Sequence, residues 1–218
     1  MARFVKHRLR GLYVITEDRR LGTRAITASV SAALRGGARI VQYRDKSRDR
    51  ARRLDEATAL AALCHRCGAV FLINDDLELA IASGAAGVHL GRDDADILNA
   101  RKKMPVDSLI GITCYNEIER ARRAAAQGAD YIAFGSFFPS PTKPDAVHAD
   151  LGLLRLARCE LSLPVVAIGG ISPENGAALV HAGADMLAVI SAVFAAPDIT
   201  AAAQAFAPCF TPAEENNR

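Results

Sequence analysis

The sequence has no apolar run near the roughly 20 residues that a membrane-spanning helix requires, which excludes an integral helical membrane protein. It also has little net charge. Its 27 Lys and Arg against 24 Asp and Glu leave +3, too small a balance to indicate a nucleic-acid or membrane-surface partner. Phosphorylated small molecules stay open as partners, because they need only local basic groups. Cysteine is sparse and odd in number, five in 218 residues, and a chain of this length needs no disulfide staples. Reduced thiols are therefore expected. Cys64 and Cys67 form a CxxC, but no second ligand pair at fitting spacing accompanies it, so zinc is not indicated. Met1 to Arg10 is basic without the apolar stretch of a secretory signal, and a cytoplasmic protein is expected. No GxGxxG follows Thr16, which weakens a dinucleotide-binding reading.

What the chain does have is a repeated alternation. Short β-rich runs stand at Gly11 to Thr16, Ile40 to Arg44, Val70 to Asn74, Gly87 to Leu90, Leu109 to Thr113, Tyr131 to Gly135, Val165 to Ile168 and Met186 to Ile190. Ala-rich segments with helical spacing lie between them, among them Ile26 to Leu34, Arg50 to Cys67, Ile118 to Gln127, Leu151 to Leu161 and Ala177 to Ala182. A Gly-Ala pair precedes a strand at Gly37, Gly84, Gly128 and Gly183, where a helix must stop and the chain must turn into the sheet. These pairs lie 47, 44 and 55 residues apart, each step the length of two βα units. The pattern predicts an α/β fold, a single (β/α)8 TIM barrel over residues 1–218, with an open doubly wound sheet as the runner-up. Ser136 to Asp150 reads as a surface loop, and Pro208 to Arg218 as a flexible C-terminal tail.

In such barrels chemistry sits at the C-terminal ends of the strands. The polar residues there are Gln42, Arg44 and Lys46, then Asn74, Asp75 and Asp76, then Asp93 and Asp94, then Thr113. Ser140, Thr142 and Lys143 follow the sixth strand, and Gly169-Gly170 and Ile190-Ser191 follow the last two. Singly they have ordinary explanations: Asp75 or Asp76 caps the next helix, or Arg44 pairs with a neighbouring carboxylate. Together, acidic groups from two strand ends and cations from two others describe magnesium holding a diphosphate, since Mg2+ takes one or two carboxylates beside water and phosphate oxygens. Gly169-Gly170 and Ser191, each near a helix start, leave backbone N–H groups free to approach a second phosphate. His89 is either a general base or a histidine satisfied by its neighbours inside the barrel.

The motifs VQYRDK (Val41 to Lys46), INDD (Ile73 to Asp76), GVHLGRDD (Gly87 to Asp94), FGSFFPSPTKPDA (Phe134 to Ala146), AIGGIS (Ala167 to Ser172) and GADMLAVIS (Gly183 to Ser191), in this order, resemble the thiamine-phosphate synthase family. That resemblance implies a (β/α)8 barrel and a transferase joining an aminopyrimidine methyl diphosphate to a thiazole phosphate or its carboxylated form, with release of diphosphate. It implies contacts to the pyrimidine diphosphate from Gln42, Tyr43, Arg44, Asp45, Lys46, Asn74, Thr113 and Lys143, of which Arg44, Lys46 and Lys143 would be catalytic. Ser140, Pro141, Thr142, Gly170, Ile190 and Ser191 would bind the thiazole phosphate, and Asp75 and Asp94 would hold Mg2+. The implied partners are two small phosphorylated heterocycles, with no nucleic acid and no membrane, and the reading leaves room for a homo-oligomer. The family usually has Ser at Thr113 and commonly Gln at Arg92. Two competing readings are a thiazole tautomerase, expected to lack a complete diphosphate and magnesium set, and a barrel that only binds a phosphorylated ligand.

Overall fold

The computed structural model describes residues 9–17, 22–91, 96–139 and 147–211. Eight parallel strands close in chain order, β8 pairing with β1: β1 (Gly11–Ile15), β2 (Ile40–Tyr43), β3 (Val70–Asn74), β4 (Gly87–Leu90), β5 (Leu109–Tyr115), β6 (Tyr131–Phe134), β7 (Val165–Ile168) and β8 (Met186–Val189). This is the (β/α)8 barrel expected from the repeat, and closure excludes the open sheet. The outer layer comprises α1 (Thr23–Arg35), α2 (Arg50–Arg66), α3 (Leu77–Ser83), α4 (Ile97–Lys103), α5 (Ile118–Ala126), α6 (Leu151–Glu160), α7 (Pro173–His181), α8 (Ser191–Phe194) and α9 (Ile199–Gln204). The helices α3, α4, α8 and α9 were not among the segments expected from spacing. Each has seven residues or fewer, too short for a helical period to emerge. No helix among the described residues is long and apolar enough to cross a membrane.

Local chemistry sets the boundaries. Asp49, Asp76, Asp96, Asp150 and Asp198 each accept a backbone N–H at a helix start, from Arg52, Leu79, Asn99, Leu153 and Ala201. At the other end, Gly84 takes a left-handed conformation (φ 71°), and Ala85 N–H reaches back to Ala80 O at 3.1 Å. The same return bond follows the other Gly-Ala pairs, at Ala38, Ala129 and Ala184. It also occurs at Ala69, after a fifth pair, Gly68-Ala69, which the two-unit spacing passed over.

Strand alternation divides the apolar residues into two cores. Tyr13, Ile15, Ile40, Leu72, Leu109, Tyr131, Val166 and Met186 pack with their neighbours inside the barrel. Their alternates, such as Val14, Val41, Ile73, Val88, Ile110, Ile132 and Leu187, pack under the helices. Both faces of the sheet are therefore covered, as an all-parallel sheet requires. Ser136 to Asp150 is anchored at its ends, where Ser136 N–H donates to Val147 O (2.8 Å) and Ala149 N–H to Ser136 O (2.9 Å). Of the C-terminal segment only the first residues are described: Ala207–Phe210 form a 3-10 turn that buries Cys209, with its thiol 3.4 Å from Pro173 O at the start of α7. The chain is thus packed through Phe210, and residues 212–218 lie outside the described ones.

Gly111 makes room for the ring of Tyr131. A Cβ at position 111 would stand 1.9 Å from Tyr131 Cζ, and the ring is fully buried. We predict that Gly111→Ala destabilises the fold by about 2–3 kcal/mol through overpacking, lowering the thermal midpoint by roughly 5–10 °C. An unchanged midpoint in calorimetry would contradict this packing.

Candidate active site

At the C-terminal mouth, inward-facing residues of all eight strands and several of the loops that follow them enclose a cavity of about 210 Å³, floored by Tyr13 and Ile15. Gln42, Arg44, Asn74, His89 and Thr113 line it, and Tyr115, Ser136 and Gly169 form its rim. Beneath the opening, five of the lumen side chains bond to one another. Gln42 Nε2 donates to the Tyr13 hydroxyl at 2.6 Å, and the Tyr13 and Tyr131 hydroxyls are 3.2 Å apart. His89 Nδ1 lies 2.9 Å from the Tyr131 hydroxyl, and its Nε2 lies 2.8 Å from Thr113 Oγ1. The His89 and Tyr131 rings stack, with centroids 5.6 Å apart. Burial lowers His89 from 6.5 to about 4, raises Tyr13 to about 12, and pushes Tyr131 well above the usual phenol range. All three groups are neutral near pH 7. Of the two readings of His89, the structure supports the satisfied lumen histidine, because both ring nitrogens are engaged.

The VQYRDK segment is split by the pleat. Gln42 and Arg44 turn into the cavity, and exposed Lys46 follows in the loop. Tyr43 and Asp45, which the resemblance implied as substrate contacts, point to α2 instead. The Tyr43 hydroxyl donates to buried Glu56 at 2.7 Å, and Asp45 accepts from Arg52 at 2.6 Å and from Ser47 N–H at 2.7 Å. Arg52 also bonds Glu56 at 3.0 Å. Burial pushes the Asp45 carboxyl up, but the bonds from Ser47 and Arg52 together outweigh it and hold the group below its usual range. The correction has a simple physical cause: successive strand residues face opposite sides, so two neighbours of a lumen residue cannot share its pocket. Tyr43 and Asp45 brace the turn that carries Arg44 and Lys46.

The two aspartates after Asn74 also separate. Asp76 caps α3 and pairs with Arg53 at 2.9 Å, so it is structural. Asp75 adopts a left-handed backbone (φ 62°), its carboxylate accepting from Asn74 Nδ2 at 2.5 Å and from Gly91 N–H at 3.1 Å. It thereby joins the β3 loop to the start of the β4 loop, whose Asp94 lies outside the described residues. Arg120 holds the same region from below, donating to Thr113 O at 2.7 Å and Gly91 O at 3.2 Å. Among the described residues no group of three or more His, Cys, Asp or Glu surrounds a metal position. Of the two expected carboxylates, Asp75 is the one among the described residues, and it is a hard oxygen donor of the kind magnesium uses.

A second cavity, about 330 Å³, lies between the β7 and β8 loops and is lined by Gly169, Gly170, Ile190, Ser191 and Pro139. It shares Ile168, Gly169, Ala188 and Ile190 with the first cavity. Gly170 is also demanded by packing, since a Cβ there would stand 2.4 Å from Pro139 O. Ser140, Pro141, Thr142 and Lys143 fall outside the described residues. The sequence reading missed Tyr13, Tyr131, Tyr115 and Arg120. Tyr13 carried a usable signal, standing two residues before Ile15 on the same strand face.

These features define a (β/α)8 barrel with two adjoining ligand cavities at the C-terminal mouth of its sheet. The profile of the thiamine monophosphate synthase family matches residues 12–193, and the chain belongs to that family, whose synthases are transferases of thiamine biosynthesis. It is similar to the thiamine-phosphate synthase of Thioalkalivibrio sulfidiphilus, 53% identical over 203 residues, covering 93% of this chain and 96% of that one. The thiamine-phosphate synthase of Thiobacillus denitrificans is 53% identical over 193 residues, covering 88% and 91%. Among solved structures, thiamine phosphate pyrophosphorylase from Pyrococcus furiosus superposes with a TM-score of 0.83 at 34% identity, covering 94% of this chain and 96% of that one.

The His89 environment has a consequence for stability. Its folded value of about 4 lies below the 6.5 of the unfolded chain, so the unfolded state takes up the proton first as pH falls. The associated stability is complete above pH 6.5 and declines between pH 6.5 and 4, by about 3 kcal/mol in all. Urea unfolding of His89→Gln should show a shallower loss over that window than the parent protein. Parallel profiles for the two would contradict the assignment.

Proposed function

We propose that the protein condenses an aminopyrimidine methyl diphosphate with a thiazole phosphate, or the carboxylated thiazole, to form thiamine phosphate and diphosphate. The observation that carries this reading is the pair of cavities with a common wall at Ile168, Gly169, Ala188 and Ile190. A bond between two separately bound rings needs adjoining sites, whereas a tautomerase or a simple phosphate binder needs one. In this reading Gln42, Asn74 and Thr113 hold the pyrimidine side. Arg44, Lys46 and Lys143 face the diphosphate, while Ser140, Pro141, Thr142, Gly170, Ile190 and Ser191 take the thiazole phosphate.

The bond between the pyrimidine methylene carbon and the diphosphate oxygen breaks with its electron pair leaving on diphosphate. The thiazole nitrogen lone pair then forms the new C–N bond. Charge separation is the barrier, and the aminopyrimidine ring delocalises the cation while Arg44, Lys46 and Lys143 oppose the growing negative charge. Asp75 and Asp94 would hold Mg2+, which when bound supplies further neutralisation of the diphosphate oxygens. The apolar part of the lining, at Ile15, Ala133 and Val166, keeps water from the carbon centre. Five free thiols suit a reducing cytoplasm.

Purified protein given both substrates and Mg2+ should release thiamine phosphate and diphosphate in equal amounts. Isomerisation of a thiazole carboxylate phosphate without diphosphate release would establish the tautomerase instead. Asp75→Ala should lose activity by orders of magnitude and keep its fold. Lys143→Met should still bind the pyrimidine diphosphate but slow single-turnover product formation by roughly 100-fold. For the thiazole side, Ser191→Asp is a cleaner probe than Gly170→Asp, because any Cβ at Gly170 collides with Pro139. It should weaken thiazole-phosphate binding in calorimetry by about tenfold or more and spare the pyrimidine diphosphate.

A further inference from the structure

The lumen chain from Gln42 to Thr113 obeys a strict hydrogen count. Its four links are Gln42 to Tyr13, Tyr13 to Tyr131, Tyr131 to His89 and His89 to Thr113. Each intermediate group, two phenols and one neutral imidazole, owns a single hydrogen to share. Every link is filled only when all point the same way, since a mixed chain leaves one link with two hydrogens or none. With Gln42 Nε2 donating to Tyr13, the hydrogens run Tyr13 to Tyr131 and Tyr131 to His89 Nδ1, so His89 carries its proton on Nε2 and donates to Thr113. The Thr113 hydroxyl hydrogen is then left for the cavity, as is the Gln42 amide oxygen, which has no protein partner among the described residues.

Arg44, two residues beyond Gln42, lines the same cavity, and its positive charge favours that direction by stabilising an amide oxygen turned toward the mouth. Tyr13 pairs in register with Ile40, one layer below Gln42, where the amide nitrogen points. Leaving any of these buried groups unpaired is costly, which ties the two ends together.

We propose that Tyr13, Tyr131 and His89 are positioning residues, a one-way relay that fixes an acceptor at Gln42 and a donor at Thr113 and so selects an aminopyrimidine over its oxo counterpart. An aminopyrimidine carries an amino donor and, beside it on the same edge of the ring, a ring-nitrogen acceptor. The oxo form presents a carbonyl acceptor and a ring N–H donor, and matching it would require all four links and the Gln42 amide to reverse. The proposal rests on the synthase reading for its substrate.

The test uses the full chain labelled with 15N-histidine, together with Tyr131→Phe and Tyr13→Phe, which keep both rings; both break the Tyr13–Tyr131 link, the first also the link to His89 and the second also the link to Gln42. In the parent protein the His89 signals should report a proton on Nε2 and a pyridine-type Nδ1. In Tyr131→Phe that preference should be lost. The kcat/KM preference for the aminopyrimidine diphosphate over the oxypyrimidine diphosphate should fall about tenfold in either variant, with the change in KM for the pyrimidine and not for the thiazole phosphate. Either variant suffices if the other does not fold. A proton on Nδ1 in the parent protein, or unchanged discrimination in the folded variants, would overturn the relay. If the parent forms no thiamine phosphate the synthase reading fails, and the His89 tautomer alone decides the relay.

Discussion

In a closed barrel of eight parallel strands, every second side chain enters one narrow lumen, and whatever polar atoms arrive there must satisfy one another or open onto the ligand. The rest of this structure follows from that constraint. Tyr13, Gln42, His89, Thr113 and Tyr131 come from five strands and meet within hydrogen-bond distance because closure leaves them nowhere else to go. Gly111 gives up its side chain so that the Tyr131 ring can reach across. The result is a rigid, neutral polar floor beneath an open mouth.

The same alternation distributes labour along the strand ends. In VQYRDK, Gln42 and Arg44 go inward while Tyr43 and Asp45 go outward, where Arg52 and Glu56 on α2 lock them. Residues that read as one motif therefore do two jobs, one set meeting the cavity and the other holding the loop that presents it. In INDD the division is similar: Asp76 caps α3, and Asp75 ties the β3 loop to Gly91. Arg120 adds a second tie from α5, so the loops around the mouth are held from the helix layer and from each other.

Two adjoining cavities give the barrel its chemical character. A buried polar floor, a neighbouring recess between the β7 and β8 loops and a shared apolar wall are the features on which the proposed joining of two bound molecules rests. Membership of the thiamine monophosphate synthase family agrees with that arrangement over nearly the whole chain.

The sequence by itself determined the barrel. Its eight apolar runs fall on the eight strands within a residue or two, because fully covered strands leave an unbroken apolar signature, and the Gly-Ala pairs mark helix ends because a left-handed turn there favours glycine. It also placed Gln42, Arg44, Asn74, Thr113, Gly170, Ile190 and Ser191 at strand ends, since that position is a matter of chain order. Only the tertiary structure decided which face each residue takes and what it meets there. It set Tyr43 and Asp45 against α2, assigned the cap to Asp76, and satisfied both nitrogens of His89. It also joined Tyr13 to Tyr131 across 118 residues of chain. Such pairings depend on the register and closure of the whole sheet, a long-range property that no local window of sequence contains.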